Sequence, residues 1–165
     1  MTDLAPLLAD AAELISLCTK RGLKIATAES CTGGLIAGVL TEVSGSSAVV
    51  DRGFVTYSNA AKTELLGVQA ELLDDPKIGA VSEEVARAMA EGALKRSEAH
   101  LVVAVTGIAG PTGGGPHKPV GLVYFAAVKR GSEIHHVEQR FGDIGRSGIR
   151  LATVREALEM LRSLI

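Results

Sequence analysis

The run Leu101-Val102-Val103-Ala104-Val105 restricts the folds open to this chain more than any other segment. A strand apolar on both faces and rich in valine belongs in the middle of a sheet that helices cover on either side. The rest of the chain supplies those helices. Leu4, Leu7, Leu8, Ala11, Leu14, Ile15 and Cys18 recur at helical spacing as far as Gly22. A strand at about Lys24 to Ala28 precedes a helix carrying Leu35, Ile36, Val39, Leu40 and Val43, which Gly45 ends. Residues 49–57 are β-rich, with Gly53 marking a bulge. Asn59 heads a short helix through Leu66, closed by Gly67, and Ser82 caps a helix over 83–95. Beyond the apolar strand, a turn rich in glycine and proline runs from Thr106 to Gly121. Residues 122–128 and 133–141 then form a hairpin, and a final helix presents Ile149, Leu151, Val154, Leu158, Leu161 and Ile165. Five strands interleaved with helices predict an α/β fold: a three-layer α/β/α sandwich on a mixed, mainly parallel five-stranded sheet, in one domain over residues 1–165.

Composition excludes several kinds of partner. A net charge of −2 and an aromatic content of 3% leave neither a basic stripe nor a stacking platform, so no nucleic acid is expected as main partner. Cys18 and Cys31 make neither a disulfide framework nor a zinc pattern, and no metal or other cofactor is expected. Asp3, Asp10 and Glu13 near the start, and the lack of a membrane-length apolar run, predict a cytoplasmic chain with no membrane partner.

The stretch Ala28-Glu29-Ser30-Cys31-Thr32-Gly33-Gly34 joins the first predicted strand to a helix. Such a turn sets a hydroxyl at the sheet's mouth, beside N–H groups that favour an anion. Gly33 and Gly34 let a ligand approach the backbone, and Ser30 or Thr32 can serve as N-cap. With a right-handed crossover the first strands run parallel, and their carboxyl ends meet at one edge. Ser30 follows the first strand; Tyr57, Ser58, Asn59 and Lys62 follow the second; Thr106 and Gly107 follow the third.

These groups point to nucleophilic chemistry. The four histidines are poorly placed: His100 precedes its strand, His135 and His136 lie in the hairpin, and His117 lies in the long turn. A serine–histidine triad is therefore disfavoured. A lysine serves as base if its pKa falls, and Lys62, in the first turn of a helix at the correct edge, is the candidate. Its helix N-terminus and desolvation are expected causes of that fall, with Arg146 a third.

Four segments carry a family resemblance: Thr27 to Gly34, Arg52 to Asn59 with Lys62, Thr106-Gly107-Ile108-Ala109-Gly110-Pro111, and Lys118-Pro119-Val120-Gly121. Together they resemble the CinA C-terminal domain family over nearly the whole chain. The resemblance implies hydrolysis of the carboxamide of nicotinamide mononucleotide, a serine/lysine mechanism without metal, a pyridine mononucleotide as small-molecule substrate, and a homodimer. It also implies site residues. Ser30 is favoured as nucleophile over Ser47, because Ser47 precedes a strand spanning roughly 33 Å whose far end leads to Lys62. Tyr57 would bond the lysine or the substrate, Asn59 would orient substrate or cap its helix, and Thr106 and Gly107 would line the nucleotide. Gly113-Gly114-Gly115 reads as a surface loop. Arg146 follows Phe141-Gly142-Asp143-Ile144-Gly145, with the acidic residue displaced from the family's Phe-x-Gly-Asp pattern. It is the expected phosphate clamp, with Arg150 as the alternative. The second functional reading is a catalytically silent nucleotide-binding or interaction module linked to competence and DNA damage.

Overall fold

A computed structural model describes all of residues 1–165. Its elements in chain order are α1 (Leu8–Arg21), β1 (Ile25–Glu29), α2 (Leu35–Thr41), β2 (Val50–Val55), α3 (Asn59–Leu66), α4 (Ala70–Asp74), α5 (Glu83–Lys95), β3 (Leu101–Gly107), β4 (Leu122–Lys129), β5 (His135–Arg140) and α6 (Arg146–Ser163). The five strands stand in the order β2-β1-β3-β4-β5. The β1–β2 and β1–β3 pairings are parallel, and β3–β4 and β4–β5 are antiparallel. Pairings thus divide evenly, although β4 alone runs against the other strands.

Alternation along β3 explains the three layers. Leu101, Val103 and Val105 face a core of 24 buried residues shared with α1, α2 and α6. Val102 and Ala104 face a second core of 15 buried residues, shared with α3, α4 and α5. Both faces of β3 are therefore covered, as its unbroken apolar run requires. The chain crosses from β1 to β2 by way of α2 on one face, then returns over β1 to β3 by way of α3–α5 on the other. The strand order reverses at β1, so the carboxyl ends of β1, β2 and β3 surround one crevice.

Three local expectations are corrected. The register irregularity between β1 and β2 falls at Asp51, since Ile25 pairs with Val50 and Ala26 with Arg52. Gly53 instead allows a close approach: a Cβ there would stand 3.0 Å from Thr27 Oγ1 and 3.2 Å from the Ala37 Cβ of α2. Helix α2 stops at Thr41, and Gly45 opens a short 3-10 turn over Ser46–Ala48. The cap of α3 is Ser58, whose Oγ accepts from the Ala61 N–H at 3.0 Å, so Asn59 is the first helical residue. Helix α4, only five residues long, carries too short a pattern to be read from sequence.

Candidate active site

Ser30 follows β1 directly, and its N–H donates to the Val105 carbonyl of β3 at 3.1 Å. Its Oγ lies 2.9 Å from Lys62 Nζ, which also donates to the Thr56 carbonyl at 2.7 Å. Lys62 comes from the first half of α3 and is 1% exposed. A lysine so enclosed, with no carboxylate bonded to its ammonium, holds its charge poorly. Burial lowers its pKa from the ordinary 10.5 to about 8, against a small opposing effect of Cys31. Burial is the main cause of this fall; Arg146, expected to add to it, is turned elsewhere.

The pair sits in a cleft of about 210 Å³. Of the residues expected from sequence, Ser30, Tyr57, Asn59, Lys62, Thr106, Gly107 and Arg146 line it. Thr106 is buried, and its hydroxyl donates to the Ala80 carbonyl at 2.7 Å, holding the opposite wall. Gly107 has no room for a side chain: a Cβ would lie 2.7 Å from the Leu122 carbonyl oxygen and from Val123 Cγ2 on β4. Asn59 is exposed at the rim.

Tyr57 does not reach Lys62. Tyr57 is 62% exposed at the mouth, and its hydroxyl accepts from Arg146 Nη2 at 3.1 Å. Arg146 Nη1 donates to the Gly110 carbonyl at 2.7 Å, so one guanidinium ties the mouth of the cleft to the loop after β3. Arg150 stands outside the cleft, behind the turn, where its Nη2 donates to the Thr32 carbonyl at 2.9 Å. Ser47 is exposed at the opposite end of β2.

The turn 30–34 differs from its expected role. The N–H groups that open α2 are already occupied by Glu29, whose carboxylate accepts from Gly34, Ile36 and Ala37 at 3.1, 3.0 and 2.9 Å. Thr32 is buried, with its hydroxyl donating to the same carboxylate at 2.7 Å, and the Gly33 N–H donates to the Ser30 carbonyl at 3.0 Å. Thr32, Gly33 and Gly34 therefore shape the turn and do not line the cleft. The Cys31 and Thr32 N–H groups, by contrast, donate to no backbone acceptor, and the Cys31 N–H meets only its own thiol.

Four further wall residues were not expected from sequence: Cys31, Ala80, Val81 and Ala109. Cys31 is 5% exposed, and burial pushes its thiol up to about 12, so it is protonated and unreactive beside the serine. Ala80 and Val81 carry no chemical signal that a sequence could show. No group of three or more His, Cys, Asp or Glu side chains is gathered closely enough to hold a metal ion. No helix is long and apolar enough to cross a membrane. A hydroxyl 2.9 Å from a buried amine of lowered pKa is the pair that a serine nucleophile with a lysine base requires.

The model of the CinA C-terminal domain matches residues 8–165. The nicotinamide-nucleotide amidohydrolase PncC of Escherichia coli K12 is 50% identical over 142 residues, covering 86% of this chain and 84% of that protein. A CinA-like protein of Syntrophus aciditrophicus is 51% identical over 148 residues, covering 89% of this chain but 34% of that one. The chain spans about a third or less of the length of several such curated relatives, between 27% and 36%. Among solved structures, the competence/damage inducible protein CihA of Agrobacterium tumefaciens superposes with a TM-score of 0.93 at 59% identity, covering 96% of this chain and 94% of that one.

Proposed function

The chain belongs to the CinA C-terminal domain family, and we propose that it is an amidohydrolase that converts nicotinamide mononucleotide to nicotinate mononucleotide and ammonia. The observation that carries this reading is the Ser30 Oγ–Lys62 Nζ contact of 2.9 Å inside the cleft. The activity for which the Escherichia coli relative is named supports the choice of substrate.

In the proposed cycle, neutral Lys62 takes the Ser30 hydroxyl proton as Oγ attacks the carboxamide carbon. The Thr56 carbonyl accepts one amine N–H and thereby aims the nitrogen lone pair at Oγ. The oxygen of the tetrahedral adduct gains negative charge, which the Cys31 N–H, claimed by no backbone acceptor, is suited to receive. Collapse breaks the C–N bond while Lys62 returns its proton to the departing nitrogen, releasing ammonia. Water then attacks the Ser30 ester, again giving its proton to Lys62, and the acid leaves as Ser30 recovers its hydroxyl. Tyr57 and Asn59 contact the substrate at the rim, and Arg146 is the phosphate-side cation. No step calls for a metal.

A catalytically silent module would carry the cost of burying Lys62 without use for it. The deciding experiment measures ammonia released from nicotinamide mononucleotide by purified protein in the presence of a strong chelator, with Ser30→Ala as control. Release that depends on Ser30 and persists with the chelator is expected. No release, or release abolished by the chelator and restored by zinc or magnesium, sinks the reading.

A further inference from the structure

Glu29 is fully buried, yet its carboxylate has no basic partner. It accepts five hydrogen bonds instead. Thr27 Oγ1 and the Ala37 N–H bond Oε1 at 3.1 and 2.9 Å, and Thr32 Oγ1, the Gly34 N–H and the Ile36 N–H bond Oε2 at 2.7, 3.1 and 3.0 Å. All three backbone partners can only donate, so an ionised carboxylate, which can only accept, fits the site better than any amide or hydroxyl. A buried charge satisfied in this way resists displacement, because losing a partner strands a donor away from water.

The placement of these bonds links them to the chemistry. Glu29 is the last residue of β1 and Ser30 the next. The carboxylate reaches forward over the whole turn and closes it against the first residues of α2. From the other side, Arg150 Nη2 holds the Thr32 carbonyl. Glu29 thus takes the Gly34, Ile36 and Ala37 N–H groups at the start of α2 and leaves the Cys31 N–H, on the cleft wall, without a backbone acceptor beside the nucleophile.

On the basis of the serine/lysine amidohydrolase reading, we propose that Glu29 is the positioning residue of the nucleophile turn: it fixes Ser30 Oγ and the Cys31 N–H relative to each other, so that attack and stabilisation of the resulting oxyanion occur in one geometry. Glu29 touches no substrate and acts entirely through the turn.

Glu29→Gln tests this, because it keeps the shape and replaces one acceptor by a donor. The Thr27 hydroxyl can rotate to accept from the new amide group, but the Ala37 or Gly34 and Ile36 N–H groups then face a donor. Two ligands separate positioning from general damage. The product, nicotinate mononucleotide, reports ground-state binding. The aldehyde analogue of the substrate adds Ser30 Oγ to its carbonyl carbon, and the hydroxyl proton passes by way of Lys62 to the carbonyl oxygen, giving a neutral hemiacetal. Glu29→Gln should leave product affinity within about twofold and weaken the aldehyde about tenfold or more, with kcat reduced about 10- to 100-fold and KM nearly unchanged. Thr32→Val removes one hydroxyl donor and keeps the carboxylate, so it should show the same split at smaller size if the glutamine variant does not fold. Equal losses for both ligands, or loss for neither, overturn the assignment of Glu29. Wild-type protein that neither releases ammonia nor captures the aldehyde overturns the amidohydrolase reading itself, and the Glu29 proposal with it.

Discussion

Replacing Lys62 by methionine should stabilise the protein at neutral pH, and the gain should vanish as pH rises. Lys62 is 1% exposed, and its pKa falls from 10.5 to about 8 on burial. Lowering a pKa by one costs the charged form about 1.36 kcal/mol, so the fully protonated lysine costs the native state about 3 kcal/mol. The sign follows from proton counts. Between the two pKa values the unfolded chain holds the proton and the native chain does not, so stability rises with pH through that window. Below about pH 8 both states are charged and the penalty is nearly complete. From pH 7 to pH 10 the wild type should therefore regain about 2.5 kcal/mol relative to Lys62→Met. At pH 7 methionine avoids the penalty but forgoes the bonds to Ser30 Oγ and the Thr56 carbonyl, each worth about 1 kcal/mol. The net gain is about 1 kcal/mol, a rise in melting temperature of roughly 2–4 °C. Urea unfolding of both proteins at the two pH values gives the double difference, in which groups that titrate alike in both cancel. A difference between the variants that does not change with pH would refute the claim that burial depresses this lysine.

Turnover should follow the same group. Because the base must be neutral, kcat/KM should rise nearly tenfold per pH unit below a midpoint of about 8 and level off above it, while Lys62→Arg stays inactive across the range. A flat profile, or an active arginine variant, places the base elsewhere. Ser30→Ala and Lys62→Ala should each lower kcat by about 10⁴-fold, and the double variant should be scarcely worse, since the two act as a unit; multiplied losses would contradict a shared step. Cys31→Ala should keep activity within about tenfold, and the wild-type thiol should resist alkylation below pH 10, because its pKa is about 12. Inactivation by an alkylating reagent at neutral pH would show the thiol to be more reactive than its burial implies.

Much of the fold was legible because its signals are local and strong. The unbroken run Leu101–Val105 forms the doubly covered strand β3, and Ser82 caps α5 through its bond from the Val85 N–H. The meeting of Ser30 with Lys62 followed from the direction of parallel crossovers and the places where two strands end, which sequence spacing expresses. What failed depended on contacts between distant segments. Gly53 carries the same local signal whether it marks a bulge or makes room for Ala37, and only the position of α2 decides. Tyr57 was expected to bond Lys62 or the substrate, and the first of these is ruled out because Arg146, from the far end of the chain, holds its hydroxyl at the rim. The turn 30–34 reads as an anion site until one sees that the anion is the chain's own Glu29, folded back over its successors. Ala80 and Val81 line the cleft without carrying any functional group.

In the proposed cycle Ser30 forms an ester with the substrate. Acid quenching of the protein during turnover of nicotinamide mononucleotide, followed by peptide mass spectrometry, tests it directly. An acyl adduct of nicotinate mononucleotide is expected on the peptide containing Ser30, present in wild type and absent from Ser30→Ala. An adduct on Ser47, or turnover with the adduct absent and Ser30→Ala fully active, would contradict it.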